Sequence, residues 1–142
     1  MSAGFIADSS VAIAWVVLSQ SSGDTDHLLE EVKRGISFVV PVLWMFEVAN
    51  ALLALRRRQR IQRDEYNQAL VDLRDSLPLV DDEGPVRALD AISKLAEKHD
   101  LSVYDAVYLE LALRRALPLA SRDAALNKAA KRAGVRTLLA SR

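Results

Sequence analysis

The sequence contains no cysteine. That excludes disulfides, thiol nucleophiles and cysteine-ligated zinc, and it suits a reducing compartment. Histidine is nearly as scarce, with His27 in a polar helical stretch and His99 near a helix end. A catalytic base needs geometry as well as a suitable pKa, so two lone histidines read as solvated or structural. No apolar run is long enough to span a bilayer. The opening Met1-Ser2-Ala3-Gly4 lacks the basic and long apolar regions of an export signal. The expectation is a soluble cytoplasmic protein with no membrane partner. Repeats, low-complexity tracts and linkers are also missing, so residues 1–142 are expected to form one domain, long enough for a core without staples.

An excess of either charge is lacking too. The 19 Lys and Arg balance 19 Asp and Glu, so composition does not announce a nucleic-acid binder. The distribution is more informative. Residues 1–50 hold six acids against two bases, and base is concentrated later, with a knot at Arg56, Arg57, Arg58, Arg60 and Arg63. Such a knot is either the solvated end of a helix or a surface for phosphate or a partner chain.

What is present alternates between strand and helix signals. Phe5-Ile6-Ala7 is a short apolar run ending at Asp8 and predicts a buried strand. Ser9 or Ser10 is placed to cap a helix over Val11–Leu18. Asp24–Lys33 predicts a helix closed by Gly35, and Ser37–Val40 a second strand ending at Pro41. Val42–Arg58 predicts a long helix, apolar nearly all round in its first half, with amphipathic Asp64–Ser76 packed back on it. Leu77–Val80 reads as a short strand, Pro85–His99 and Ser102–Ala116 as helices, and Leu117–Ala120 as a strand. Asp123–Ala133 reads as a helix stopped by Gly134, and Val135–Leu139 as a last strand. The fold class implied is α/β, a mostly parallel sheet of four to five strands covered by helices on both faces. Ligands of such sheets bind at the carboxyl ends of the strands.

Four carboxylates fall where that geometry matters. Asp8 follows the first strand, and Asp123 follows the strand at Leu117–Ala120. Asp105 lies in a first helical turn, three residues after Ser102, and Glu47 is the only charge between Pro41 and Arg56. Asp8 and Asp123 also suit helix caps, and Ser102 with Asp105 is spaced as a variant capping box. Glu47 resists so plain a reading. No Lys or Arg lies three or four residues away, and an unpaired carboxylate on an apolar face costs several kcal/mol. Asn50 shares its face, and a distant arginine is the structural alternative. Acids gathered in one pocket raise one another's pKa, and a divalent cation relieves that strain. An all-oxygen set without Cys or His favours Mg²⁺ or Mn²⁺ over Zn²⁺, and the matching chemistry is metal-assisted phosphodiester hydrolysis. Trp15, Trp44, Tyr104 and Tyr108 read as core or interface packing, and Asp81-Asp82-Glu83 as surface charge before a helix.

Four segments in order carry a resemblance. They are Phe5-Ile6-Ala7-Asp8-Ser9-Ser10-Val11, Glu47-Val48-Ala49-Asn50-Ala51-Leu52, Tyr104-Asp105-Ala106-Val107-Tyr108-Leu109 and Ser121-Arg122-Asp123 with Leu126. Together the chain resembles the PIN-domain nucleases, most nearly the VapC toxins of toxin–antitoxin pairs, with Ser121 where the commoner residue is Thr. The resemblance implies a PIN three-layer α/β/α sandwich and an endoribonuclease dependent on Mg²⁺ or Mn²⁺. It implies a homodimer and a heteromeric complex with a VapB-type antitoxin. It makes Asp8, Glu47, Asp105 and Asp123 the acidic, metal-binding site, with Glu47 holding metal or positioning water. Ser10, Asn50 and Ser121 would support the site through hydrogen bonds. The arginine knot, with Arg56, Arg57 and Arg58 at its centre, would then contact RNA or the partner chain, and the apolar helix from Val42 would contribute to the dimer. Other readings in keeping with the residues are a nuclease of RNA processing or DNA without a toxin role, and a non-catalytic PIN-like binding module.

Overall fold

Four parallel strands form one sheet in a computed structural model that describes residues 3–141. They are β1 (Ala3–Ala7), β2 (Ser37–Pro41), β3 (Leu79–Asp81) and β4 (Leu119–Ala120), in the order β3-β2-β1-β4. β1 is central, pairing Ile6 with Val39 on one side and with Leu119 on the other. Phe5, Ile6 and Ala7 are all buried, as a continuous apolar run must be when helices cover both faces.

The chain lays β2 and β3 to one side of β1, then returns to lay β4 on the other. With right-handed crossovers, opposite directions of travel put the connecting helices on opposite faces. α1 (Ser9–Val16), α2 (Gly23–Lys33), α3 (Leu43–Arg57) and α4 (Arg63–Asp75) pack on one another. α5 (Gly84–Arg87), α6 (Ser93–His99) and α7 (Val103–Arg115) follow β3, and α7 packs on β1, β2, β4 and α8 (Ala124–Arg132). α7 is buried on most sides, at Ala106, Tyr108, Leu109, Leu111 and Ala112. The reversal of direction opens a crevice at the carboxyl ends of β1 and β4, the place where open α/β sheets take ligands. Among the described residues no helix is long and apolar enough to cross a membrane.

Gly35 (φ 107°) and Gly134 (φ 84°) end α2 and α8 in the left-handed conformation that glycine adopts without strain. Trp44 is buried, and Trp15 packs edge-on to Phe5 and Phe38, so both tryptophans serve the core. Several expectations are corrected. Of the two cap readings the sequence left open, Asp8 rather than Ser9 or Ser10 caps α1. Leu77 is exposed at φ 51°, terminating the helix before it, so β3 starts two residues later than predicted. The helix expected over 85–99 contains a π turn at Ala88–Ile92, where the Ser93 hydroxyl donates to the Ala88 carbonyl at 2.5 Å. The last strand reduces to a single parallel bridge between Leu119 and Thr137. On α3 only the stripe Trp44, Val48 and Leu52 is buried, while Phe46 is exposed.

The largest correction concerns Asp81. It is not a surface charge but 2% exposed, gripped by two arginines of α7. Arg114 donates from both terminal nitrogens to its two oxygens at 2.9 Å, and Arg115 donates at 2.9 and 3.1 Å. Arg114 also donates to Glu110 at 2.9 Å, and Arg87 lies 3.5 Å from Glu110. The Arg114 bonds hold the Asp81 carboxyl down to about 2. A depressed acid contributes stability that is full above its unfolded pKa of about 3.9. That contribution is lost as pH falls through the folded value of about 2. Asp81→Ala is therefore expected to lower stability by about 3 kcal/mol near neutral pH, because it strands a guanidinium against buried surface. Urea unfolding should show the gap to wild type closing between pH 4 and pH 2. A gap independent of pH would show that packing, not charge, anchors β3.

Candidate functional site

The end of β1 sets the site. β1 and β4 pair Ala7 with Ala120, and the Asp8 amide donates to the Ala120 carbonyl at 3.1 Å. The next residue on each strand is then a polar one, Asp8 facing Ser121. Asp8 is buried, so its oxygens must be satisfied within the protein. Oδ1 accepts from the Ser10 hydroxyl at 2.6 Å and the Val11 amide at 3.3 Å, and Oδ2 accepts from the Ser121 hydroxyl. Burial raises the pKa of Asp8, against the pull of those hydroxyl and amide donors.

The two serines tie this carboxylate to the loop after β4. Ser10 accepts from the Arg122 amide at 3.1 Å, and Ser121 from the Asp123 amide at 3.0 Å. Asp123 is exposed and caps α8 by accepting from the Leu126 amide at 2.8 Å. Asp123 also lines the larger cleft beside the crevice, so capping and a role there are compatible. Asn127 is buried and donates to the Ser121 carbonyl at 2.9 Å.

Glu47 and Asp105 approach from α3 and α7. Both are half-buried. The partner of Glu47 is neither Asn50 nor an arginine but the Tyr108 hydroxyl, which donates to Oε1. Burial raises the pKa of Glu47, the Tyr108 bond opposes it, and the charges of Asp105 and Asp8 add to it. Burial likewise raises Asp105, helped by the charge of Asp123 and opposed by the Ser102 hydroxyl. Half of the expected capping box is present, with the Asp105 amide donating to Ser102 Oγ at 3.1 Å. Burial and Glu47 push the Tyr108 phenol far above its ordinary range, so it stays a donor.

The four acids thus form a chain of mutual repulsion, Asp8 to Glu47 to Asp105 to Asp123. Among the described residues they are not drawn tightly enough for three side chains to enclose one ion. Two openings flank them. A cleft of about 470 Å³ is lined by Ser10, Asp123, Arg58 and Arg122. A smaller one of about 270 Å³ is lined by Leu43, Phe46, Glu47, Asn50 and Tyr104. Of the arginine knot, Arg58 reaches the larger cleft and Arg57 is exposed. Arg56 lines a separate hollow with Gln59 and Gln62 and buries an Nε without a partner.

Tyr104, expected in the core, is exposed, because it stands on the solvent side of the first turn of α7. Tyr108 is core as expected, but its link to Glu47 escaped the sequence reading. The signal was there: it sits three residues after Asp105, on the same helix face, and a buried phenol needs a partner. Asn127 gave no such signal, since one amide in an amphipathic helix is ordinary.

No curated protein matches the chain in sequence. In fold it is similar to PAE2754 from Pyrobaculum aerophilum, at TM-score 0.71 and 23% identity over 96% of this chain and 84% of that one. VapBC2 from Rickettsia felis, bound to a DNA fragment from their promoter, gives TM-score 0.62 and 11% identity over 94% and 96%. A toxin-antitoxin complex from Klebsiella pneumoniae gives 0.55 and 16% over 84% and 87%. Identities this low speak to fold alone. The PIN domain family model, however, matches residues 5–132 in sequence, from the first strand through α8 and across all four acids. The chain belongs to the PIN domain family.

Proposed function

We propose that this chain is an endoribonuclease of the VapC kind, the toxin of a toxin–antitoxin pair, hydrolysing RNA phosphodiesters with Mg²⁺ or Mn²⁺. PIN domains are generally nucleases, and two of the solved relatives carry VapBC or toxin-antitoxin in their names. The observation that carries the reading is the gathering of carboxylates at the β1–β4 crevice, with Asp8 buried at the end of β1, and with Glu47 and Asp105 raised by burial and by neighbouring acids. A fold that keeps like charges so placed gains from a cation and from the phosphate it brings.

The donor chemistry suits such a cation. Every side-chain donor is a hard oxygen, and neither Cys nor His lines the crevice. Mg²⁺ characteristically keeps several waters and binds through one or two carboxylates plus substrate phosphate, so a looser acid set than an enclosed cage is adequate. Asp8 and Asp105 would hold the ion most directly, with Asp123 and Glu47 completing its surroundings. When bound, it would supply Lewis-acid polarisation of the phosphodiester. The remaining work belongs to the chain. Ser10 and Ser121 fix the Asp8 carboxylate from both sides. Tyr108 orients Glu47, which would position an attacking water or accept a proton from it. Asn50 supports the site from the open side of α3. Arg56, Arg57 and Arg58 would contact phosphates or the antitoxin, with Arg58 nearest. The reading includes one domain over the whole chain, a homodimer, a VapB-type antitoxin and a cytoplasmic location.

A non-catalytic binding module is the second reading, in keeping with the absence, among the described residues, of any three-acid group fit to enclose an ion. Metal dependence separates the two. Purified protein should cut structured RNA with Mg²⁺ or Mn²⁺ and stop with EDTA. Asp8→Asn and Asp105→Asn should each lower the rate at least about a hundredfold while circular dichroism stays native. Wild-type rates in those variants would refute the site. Tyr108→Phe keeps the core but loses the Glu47 bond, and kcat should fall about tenfold with KM little changed. A KM effect alone would assign Tyr108 to binding. Arg58→Ala should reduce the salt slope of RNA binding by about 0.7, one phosphate contact to a single strand. An unchanged slope would remove Arg58 from the RNA path.

A further inference from the structure

The chain has two Trp, three Tyr and three Phe. Six of these eight rings are buried or half-buried, and the exposed pair is Phe46, at 71%, and Tyr104, at 63%. They belong to different helices, α3 and α7, yet line one cleft beside Glu47. Two exposed aromatics meeting at one hollow from distant parts of the sequence are not explained by packing.

The chemistry of that cleft is specific. Leu43 and the two rings offer apolar faces, Asn50 offers an amide with both donors and an acceptor, and Glu47 offers carboxylate oxygens. Among the described residues no Lys, Arg or His lines it, so it has nothing to offset a phosphate. Arg58 and Arg122 line the larger cleft instead. An apolar protein surface closing over the small cleft would bury Glu47 without a new donor, which is costly. A nucleobase meets every term instead. Its face stacks on aromatic rings, and its edge carries N–H donors for Glu47 and both donors and acceptors for Asn50.

We propose that the cleft between Phe46 and Tyr104 is a nucleobase subsite, in which one unstacked base of single-stranded RNA lies against the rings while its phosphate sits at the acids. The proposal rests on the endoribonuclease reading and specifies how that site selects its substrate. It favours loops and single strands over paired RNA, because a paired base cannot present its face. Asn50 would bias the choice of base through the edge it reads.

The test uses a short single-stranded RNA and a series of the same RNA with one abasic nucleotide moved along it. Binding is measured in the Asp8→Asn chain, where cutting does not interfere. Phe46→Ala and Tyr104→Ala should each weaken binding by roughly 5- to 150-fold, the range for loss of one base stack. Tyr104→Phe keeps the ring and should bind like the parent. One abasic position should weaken binding to the parent as much as Phe46→Ala does, and should cost the Phe46→Ala chain nothing more. Independent losses at every position would overturn the subsite. So would Ala variants that bind RNA normally but sediment as a different oligomer, which would make the cleft an interface between copies of the chain. Tyr104→Ala carries the test if Phe46→Ala proves poorly folded. If the unaltered chain neither binds nor cuts RNA, the nuclease reading fails with it. If it cuts and the Ala variants bind normally, the subsite alone fails.

Discussion

A carboxylate buried at the end of a central strand must have every oxygen answered, and Asp8 meets that demand with its own neighbours and with Ser121 across the sheet. The answer depends on register. Ala7 opposes Ala120, so the residues that follow face each other at bonding distance. A slip of one residue in β4 would turn Ser121 to the other face and leave Asp8 with one oxygen unpaired. The bridge from Leu119 to Thr137 and the bond from Asn127 to the Ser121 carbonyl both hold β4 and its loop in that register. Parts of the chain far from the crevice thereby serve it.

Two acids at the same edge of the sheet show how differently a fold can treat a buried charge. Asp81 ends β3 and receives two guanidinium groups, which hold its carboxyl at about 2. Asp8 follows β1 and receives hydroxyls and an amide, and burial raises its carboxyl against their pull. Arginines neutralise a carboxylate and leave it inert. Hydroxyls orient it without cancelling its charge, so it retains affinity for a cation. That contrast separates the structural acid from the candidate functional one, although both are buried and both follow a strand.

The same contrast explains what could be read from the amino acids alone. Asp8, Glu47, Asp105 and Asp123 were legible because local patterns set their places: a short apolar run, a lone charge on an apolar helix, and two helix starts. The parallel sheet and most helices were legible for the same reason. Asp81 was not, because its partners lie on α7 more than thirty residues away and nothing near it announces burial. Tyr108 was half legible, being plainly core, while its hydroxyl bond to Glu47 spans α7 to α3. Asp8 took the cap that the sequence offered equally to Ser9 or Ser10, since burial obliges it to use the free amides of α1. The last strand failed as a prediction because residues 135–139 meet β4 at one position only, and pattern cannot count partners.

The crevice has a division of labour that follows from where its helices cross. α3 carries Phe46, Glu47 and Asn50 in its first two turns, and Arg58 caps its far end. It runs from the aromatic cleft that holds Glu47 to the larger cleft that holds Asp123, Arg58 and Arg122. A polyanion with alternating charge and flat apolar groups matches that sequence of surfaces better than a small phosphate ester does, since an ester would use only the cationic side. The acids would repel phosphate by themselves, so in the proposed nuclease productive approach would require both an offsetting cation and anchorage on either flank. A base held on one side and backbone charge on the other would fix the strand along α3 with one phosphodiester over Asp8. On the proposed reading, the order of surfaces along this single helix, rather than any one residue on it, would distinguish a strand-cleaving site from a general metal-binding one.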